Sequence, residues 1–286
     1  MRRSHPAAAG TGEAVEAARG AAERAGVAVR EVEAPADLRR ACGLLAEVWG
    51  AGEGRLLSPE LARALSHAGG YLAVAESAAG ASLDGVLTGF LGASDGELYL
   101  HSHVLGVRAP LRRRGIGLAL KLHQRAWALR HGLRLIAWTF DPLVARNAYF
   151  NVARLGGEIV RYYVDFYGPM TDAINRGDES DRVLLAWRLD AGGVEDPRGG
   201  AASPVTVLAV GPDGGPERRP AVPPGSSLAC HVPPDIDLLR ARRPELAARW
   251  RSEVRAVLGG ALAEGRRVAG VTRDGRYLLS PPPGGS

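Results

Sequence analysis

Three strand-like segments in direct succession are the feature that most constrains the fold of this chain. They cover residues 71–76, 85–92 and 97–107, and the segments between them, residues 78–84 and 93–96, are rich in turn-forming residues. Connections this short join antiparallel neighbours in a sheet. The sequence therefore predicts a mostly antiparallel central sheet, whose third strand leads directly into the next element.

Helical patterns flank these strands. Residues 26–33 alternate as a strand does, whereas residues 35–49 and the segment that opens with Ser58 and Pro59 have the spacing and first-turn residues of helices. Residues 116–131 predict a further helix. Its apolar positions are Ala119, Leu122, Ala126 and Leu129, with Lys121, Gln124 and Arg125 between them.

The pattern continues beyond that helix. Residues 133–140 indicate a mostly buried strand, and Asp141 and Pro142 are predicted to be the cap and first residue of another helix. Residues 159–167 and 181–189 predict two more strands. Together these segments predict an α/β (α+β) fold, in which helices flank a mixed sheet.

Composition divides the chain into four parts. Residues 191–203 are rich in Gly, Pro and Asp and predict a linker. Residues 1–25 contain no continuous apolar stretch, so we expect a loose or weakly helical arm. The main domain is predicted to cover residues 26–190. Residues 204–286, with a helix and a final hairpin, are predicted to form a C-terminal extension that packs on it.

Overall composition excludes several classes of protein. The chain has 286 residues, of which 46% are hydrophobic, so it is expected to be globular. No run of about 18 uncharged apolar residues occurs, and no secretion signal is evident, so we expect a cytoplasmic protein without a membrane partner. Two cysteines, Cys42 and Cys230, provide neither a disulfide framework nor a metal-binding set.

The strongest chemical signal lies between the third strand and the helix at 116–131. There a strand end leads into a helix start that is rich in arginine and glycine, with the residues Arg112, Arg113, Arg114, Gly115, Ile116 and Gly117. The first amides of a helix have no partner within it, and the helix dipole adds partial positive charge. Glycine permits close approach of a ligand to the backbone. The segment therefore predicts an anion site suited to a pyrophosphate.

With the pattern Arg112-x-x-Gly115-x-Gly117 in this position, the chain resembles the GNAT (Gcn5-related N-acetyltransferase) superfamily over about residues 27–189. A closer resemblance is to a GNAT subgroup of predicted acetyltransferases, through the phrases HSHVLGV, KLHQR, AWTFDPL, RNAYFN-x-x-RLG, FYG and DRVLLAW. The resemblance implies an N-acyltransferase that uses acetyl-CoA, or another acyl-CoA, as co-substrate and requires no metal. The acceptor would be a small-molecule or peptide amine, and a homodimer is left open.

The resemblance also implies where the cofactor binds. The pyrophosphate would lie on residues 112–117, in an opening between strands 98–107 and 133–140. The pantetheine arm would pair with the backbone of the third strand near Val104, Leu105 and Val107. Asn147, whose spacing to Asn151 would place both on one helical face, would contact the cofactor, with simple solvent exposure as the alternative.

Acyl transfer to an amine requires a neutral amine, a stabilised oxyanion and a leaving thiolate that can accept a proton. Glu97, His101 and His103 are the candidate bases, because they lie on the strand before the anion site and the two histidines share a face. Many relatives have a tyrosine as general acid where this chain has Val152. Tyr149, three residues earlier, is the candidate replacement. Structural roles remain open for all four candidates.

Two other functions remain open. The valine in place of the usual tyrosine is compatible with a non-catalytic acyl-CoA-binding or regulatory module. The net charge of +5 and the three consecutive arginines are compatible with a nucleic-acid-binding protein. However, the basic segments are poor in aromatic residues, and Lys121 is the only lysine, so we expect no nucleic-acid partner.

Overall fold

The computed structural model describes residues 6–50, 56–77, 82–168, 178–190, 203–220, 222 and 225–282. The chain forms two compact units, one made of Met1–Ala137 with Arg188–Ala191 and the other of Trp138–Trp187 with Gly192–Ser286. Most of the predicted linker 191–203 lies outside the described residues, and the domain boundaries inferred from sequence remain a prediction.

A mostly antiparallel sheet forms the centre of the first unit. Its strands are β1 (Val27–Glu31), β2 (Tyr71–Ser77), β3 (Leu83–Ser94), β4 (Glu97–Val107) and the beginning of β5 (Leu135–Phe140), in the order β1-β2-β3-β4-β5. Adjacent strands from β1 to β4 are antiparallel, whereas β5 runs parallel to β4. The predicted meander is therefore observed.

The described residues of this unit include four helices. They are α1 (Pro6–Ala25), α2 (Pro35–Trp49), α3 (Pro59–His67) and α4 (Ile116–Arg130). The Ser58 side chain caps α3 by accepting a hydrogen bond from the Leu61 amide at 3.2 Å, as its sequence predicts. Residues of α2 and α3 form one hydrophobic core with the sheet.

Of the two expectations for the N-terminal segment, loose or weakly helical, the structure shows a helix. The segment forms the 20-residue helix α1, in which Ala14 and Ala18 are buried in a cluster with Ala126 of α4. Alanine favours the helical backbone, and a stripe of small side chains lets two helices approach closely. The segment thus buries apolar surface without the large side chains by which a core helix is usually recognised.

The second unit contains the end of β5 and the elements that follow it. These are α5 (Ala145–Ala148), a π-helical turn (Tyr149–Arg154), β6 (Glu158–Tyr163) and β7 (Arg182–Arg188). In the strand order, β5 is followed by β7 and then by β6, which is antiparallel to β7.

The prediction that Asp141 and Pro142 begin a helix was wrong. The helix starts at Ala145, and the buried Asp141 carboxylate accepts the Leu143 amide at 2.9 Å. Its other partners are arginines far along the chain, at 2.8 Å from Arg251 and 2.5 Å from Arg240. An ion pair with residues about a hundred positions away gives no local sequence signal, so the carboxylate was misread as a cap.

The C-terminal part of this unit has its own sheet. Its strands are β8 (Val205–Val210), β9 (Pro216–Arg218), β10 (Leu228–His231), β11 (Arg267–Val271) and β12 (Arg276–Ser280). Their order is β11-β12-β10-β8-β9, with β8 parallel to β10 and the other pairs antiparallel. Strands β11 and β12 are the predicted final hairpin, whereas β9 was not predicted.

The predicted C-terminal helix is divided into parts. Helix α6 (Ile236–Arg242) precedes α7 (Pro244–Val254), and a π-helical turn (Arg255–Gly259) separates α7 from α8 (Gly260–Ala263). The buried Trp250 of α7 donates from its indole nitrogen to the Gly214 carbonyl at 3.0 Å. With the helices and hairpin placed, the predicted fold class is confirmed: an α/β fold with a mostly antiparallel central sheet flanked by helices.

Candidate acyl-CoA site

A short 3₁₀ turn (Ala109–Leu111) connects β4 to α4 and is firmly anchored. The Arg108 amide donates to the Asp84 carbonyl at 3.0 Å, and the Arg108 Nε atom donates to the Leu83 carbonyl at 2.7 Å. The same guanidinium reaches both Glu47 carboxylate oxygens, at 2.8 and 2.9 Å. These contacts fix the connection to β3 and α2, so the backbone that follows has a defined position.

The start of α4 presents several amides outward. The first intrahelical hydrogen bond is donated by Ala119 to the Gly115 carbonyl at 3.0 Å, so the amides of residues 116–118 precede it. Two nearby residues adopt left-handed backbone, Arg113 with φ 70° and Gly115 with φ 89°. Left-handed residues in such turns help direct successive N–H groups toward one point, as anions require. The turn thus has the backbone geometry that an anion site requires, and the site itself stays a prediction.

The two glycines of this turn serve different purposes. Gly115 caps α4 with a φ that an L-residue adopts only under strain. Gly117 has a helical position, and a Cβ atom built on it would lie 3.6 Å from Leu105 Cδ2, an ordinary contact. Packing therefore does not require glycine at 117, which is expected where a ligand must approach the backbone.

Three arginines surround these amides. Arg112, Arg113 and Arg114 are all exposed, and Arg112 Nε donates a long bond of 3.4 Å to the Val107 carbonyl at the end of β4. The Arg112 guanidinium therefore lies next to the end of β4. The turn therefore combines oriented amides with full positive charge.

Strand β4 contains a bulge in the segment predicted to bind pantetheine. Its ladder with β3 pairs Thr88 with Val104 and Gly89 with Ser102, so His103 is the extra residue. A bulge leaves its extra residue outside the regular ladder and changes which face the following side chains occupy. Beyond it, Leu105 lies beside Gly117 on the α4 side of the sheet.

The two candidate histidines lie together beside Phe90. The His101 ring stacks on Phe90 with centroids 4.8 Å apart, and the His103 ring lies 6.2 Å from His101. Burial, then the neighbouring His103 and Lys121 charges, lower the pKa of His101 to about 4. His103 is more exposed, but partial burial also lowers its pKa. At neutral pH both rings are therefore uncharged, and His101 is a weak base.

Glu97 lies apart from these histidines. It is exposed at the first position of β4, opposite Ser94 and next to the turn at Asp95 and Gly96. Four residues of extended strand separate it from His101, which corresponds to about 13 Å. A single acceptor nitrogen could therefore not contact both groups in this arrangement of β4.

A buried lysine lies beneath the bulge. Lys121 of α4 is 4% exposed, and its Nζ donates to Ser102 Oγ at 2.9 Å. Burial lowers the pKa of Lys121 to about 7. Gln124, one turn further along α4, is fully buried beside Gly89. Positions predicted to lie between the apolar ones are therefore buried against the sheet.

The remaining candidates belong to the second unit. Tyr149 is half-buried at the start of the π-helical turn, and Asn147 is exposed on α5. Asn151, within the π-helical turn, is only 5% exposed, so the two asparagines differ in burial. A common face for them stays a prediction. Val152, where many relatives have tyrosine, is buried.

Metal binding and membrane insertion find no support among the described residues. In that part of the chain, no group of three or more His, Cys, Asp or Glu side chains is arranged to hold a metal ion. Nor does it contain a helix with the length and apolar character needed to span a bilayer.

No protein-family model and no curated protein matches the sequence, but solved structures do. A GNAT family acetyltransferase from Elizabethkingia anophelis with acetyl-CoA bound is 17% identical, with a TM-score of 0.41, and the match covers 57% of this chain and 98% of that one. The ribosomal-protein-S18-alanine N-acetyltransferase from Escherichia coli is 14% identical, with a TM-score of 0.46 and coverage of 58% and 96%. Aminoglycoside 6'-acetyltransferase type Ii is 17% identical, with a TM-score of 0.46 and coverage of 58% and 99%.

The chain resembles GNAT acetyltransferases. The matches span nearly all of the solved chains but under two thirds of this one.

Lys121 was not among the residues predicted for the site. It is the only lysine in the sequence, whereas all the other residues of the Lys/Arg pair are arginines. Arginine resists losing its charge, whereas a buried lysine can become neutral. That contrast is the signal by which the sequence could have indicated it.

Proposed function

We propose that this chain is an acyl-CoA-dependent N-acyltransferase that transfers an acetyl group to a primary amine. The observation that carries the proposal is the turn at residues 112–117. There, the free amides of a helix start, a left-handed glycine and three exposed arginines occur together, and Gly117 has no packing reason to be glycine. A diphosphate bearing several negative charges is the ligand that such a turn fits best.

In the proposed reaction, the acceptor amine attacks the thioester carbonyl and forms a tetrahedral intermediate. A backbone N–H of β4 near the bulge at His103 would stabilise the oxyanion. The C–S bond then breaks, the electron pair goes to sulfur, and the thiolate takes a proton. The amine nitrogen loses its proton to His101, His103, Glu97 or water, and Tyr149 is the proposed donor to sulfur.

Binding can be tested before the acceptor is known. Calorimetry with acetyl-CoA should give a measurable affinity for the wild-type chain, and the double variant Arg112→Ala/Gly117→Glu should weaken it at least about tenfold through loss of charge-assisted contacts. Arg39→Ala removes another exposed arginine, on α2, and should bind as the wild type does. Unchanged affinity in the double variant would show that the pyrophosphate is not bound at this turn.

A non-catalytic acyl-CoA-binding module is the second candidate, and two observations favour it. Val152 is buried where many relatives carry tyrosine, and the pKa of His101 is too low for an efficient base at neutral pH. Turnover across a broad amine panel separates the two functions: binding without turnover would indicate the module.

The base can be identified by comparing His101→Ala, His103→Ala and Glu97→Ala. Removal of the side chain that acts as the base should lower kcat at least about tenfold. If all three variants lose less, the amine reaches the site already neutral, and the enzyme acts by positioning its substrates. In that case, the rate should follow the fraction of neutral amine as pH rises.

A further inference from the structure

We propose that Lys121 is a positioning residue, which holds the bulge of β4 through Ser102 so that the His103 amide points at the thioester oxygen. The inference rests on the proposed acyltransferase function. It names the side chain that sets the oxyanion-binding backbone, and all of its residues belong to the first unit.

The contact between Lys121 and the bulge is direct. Lys121 Nζ donates to Ser102 Oγ at 2.9 Å, and both residues are buried. Ser102 immediately precedes His103, the extra residue of the bulge. A serine side chain is short, with one rotatable bond between its Cα and its hydroxyl-bearing atom. A hydrogen bond that fixes the Ser102 oxygen therefore also limits the movement of the backbone next to His103.

Strand β3 holds the bulge from its other side. Gly89 is the partner of Ser102, and a Cβ atom built on Gly89 would lie 2.9 Å from the His101 carbonyl oxygen. A larger residue at this position would push the strands apart, so the close approach requires glycine. The ladder between β4 and β5 pairs His101 with Ala137, and the bulge follows directly. The backbone of the bulge is thus held by β3 and, from the α4 side, by Lys121.

The helix that carries Lys121 also begins at the turn proposed to bind the pyrophosphate. Gly117 and Lys121 are four residues apart, so they lie on one face of α4, about 6 Å apart along its axis. Gly117 lies beside Leu105 of β4, and Lys121 contacts Ser102. One rigid helix therefore touches β4 at both proposed contacts with the cofactor, and it sets the distance from the pyrophosphate to the oxyanion site.

Stability does not account for a lysine at this position. Burial lowers the pKa of Lys121 to about 7, because the interior disfavours its charged form. Replacing a buried charged group with an apolar group of similar volume is often neutral or stabilising. Gln124, on the same face, is also fully buried, and within the described residues neither atom of its side-chain amide has a hydrogen-bond partner. Buried polar groups that oppose stability in this way are typical of functional sites.

The positioned amide acts while the amine attacks. The nitrogen lone pair forms the new C–N bond, and one electron pair of the C=O bond moves to the oxygen. As the extra residue of the bulge, His103 lies outside the regular ladder, so its N–H can donate to that oxyanion. When the carbonyl re-forms, the C–S bond breaks and its electron pair goes to sulfur. The amine nitrogen releases one proton to solvent and the thiolate takes one from solvent, so Lys121 itself transfers none.

The first test needs no acceptor. Labelling only the histidines with a nitrogen isotope gives their amide signals in NMR, and the His103 signal is the one that disappears in His103→Gln. Acetyl-CoA should move the His103 amide proton downfield in the wild type, because a hydrogen bond to the thioester oxygen forms. Coenzyme A without the acetyl group, which lacks that oxygen, should not. In Lys121→Met the movement should be lost, while the affinity for acetyl-CoA in calorimetry changes less than about twofold.

The second test uses turnover with an amine that the wild type acetylates. Lys121→Met should lower kcat at least about tenfold, because misplacing a reacting group by about 1 Å can lower a rate about 100-fold. Its stability in urea should equal or exceed that of the wild type. Ser102→Ala and the double variant should show the same loss of kcat, since all three break one contact. Arg125→Met removes a cation of α4 that donates to the Leu189 carbonyl at 3.2 Å, and should leave kcat unchanged.

The outcomes separate this inference from the proposed function. A wild-type chain that binds no acetyl-CoA would refute the function itself. If acetyl-CoA binds but moves the His103 signal equally in the wild type and Lys121→Met, the positioning role is overturned and the function is not. Losses of kcat that multiply in the double variant would likewise overturn it, because Lys121 would then act through a group other than Ser102.

Discussion

Replacing Gly117 with alanine should separate the stability of the turn from its affinity for acyl-CoA. The new Cβ atom would lie 3.6 Å from Leu105 Cδ2, which is an ordinary van der Waals distance. Alanine also favours the helical backbone, so the variant should be equal in stability or more stable by about 0.5 kcal/mol. The same methyl group would occupy space next to the amides of residues 116–118. Loss of one charge-assisted hydrogen bond there costs about 1.5–3 kcal/mol, or roughly 10- to 100-fold in affinity.

Gly115→Ala is the matched comparison two residues earlier. Its φ of 89° is left-handed, and an alanine there is strained by about 1–2 kcal/mol. This variant should therefore lose stability, whereas Gly117→Ala should not. Urea unfolding measures the stability of both variants, and calorimetry with acetyl-CoA measures their affinity. The reasoning about the turn fails if Gly117→Ala binds acetyl-CoA as tightly as the wild type, or if Gly117→Ala is the less stable of the two.

Two further predictions concern buried charge. Asp141→Asn should destabilise the chain by about 3 kcal/mol in urea unfolding, because the buried Arg251 would lose one of its two carboxylate partners and keep only Asp178. Adding Arg251→Met should recover part of the loss, and additive losses would refute a direct pair. For His101, the folded-state pKa of about 4 lies below the ordinary 6.5, so the unfolded chain binds more protons between these values. The stability contribution of this residue should fall as pH decreases from 6.5 to 4, on the order of 1–3 kcal/mol, and urea midpoints at pH 7 and 4.5 should therefore differ less in His101→Gln.

Local signals made much of the fold predictable. The capping side chain of Ser58 was identified correctly, as was the antiparallel order of the meander, since turns, caps and alternation act over a few residues. The backbone geometry at residues 112–117 was also accessible, because helix-start amides and left-handed glycines are consequences of a strand–turn–helix sequence. That an anion binds there stays a prediction.

Features that depend on distant partners were not predictable in this way. Asp141 resembles a helix cap in sequence, and only the fold shows that Arg240 and Arg251 bind its carboxylate. Burial alone would raise the pKa of Asp141, but the hydrogen bonds and charges of these arginines hold it well below its usual range. Likewise, the π-helical turn at Tyr149 has no mark in the local sequence, and nothing local distinguishes the buried Asn151 from the exposed Asn147.

Helix α4 is covered on two sides, which the spacing of its own apolar residues does not indicate. In the structure, α1 packs against Leu122, Ala126 and Leu129, so the opposite side of α4 is free to meet the sheet. That second face carries Lys121 and Gln124 into the interior beneath β4. A helix covered on both sides can therefore bury polar groups that lie between its apolar positions, and burial is what lowers the pKa of Lys121 to about 7.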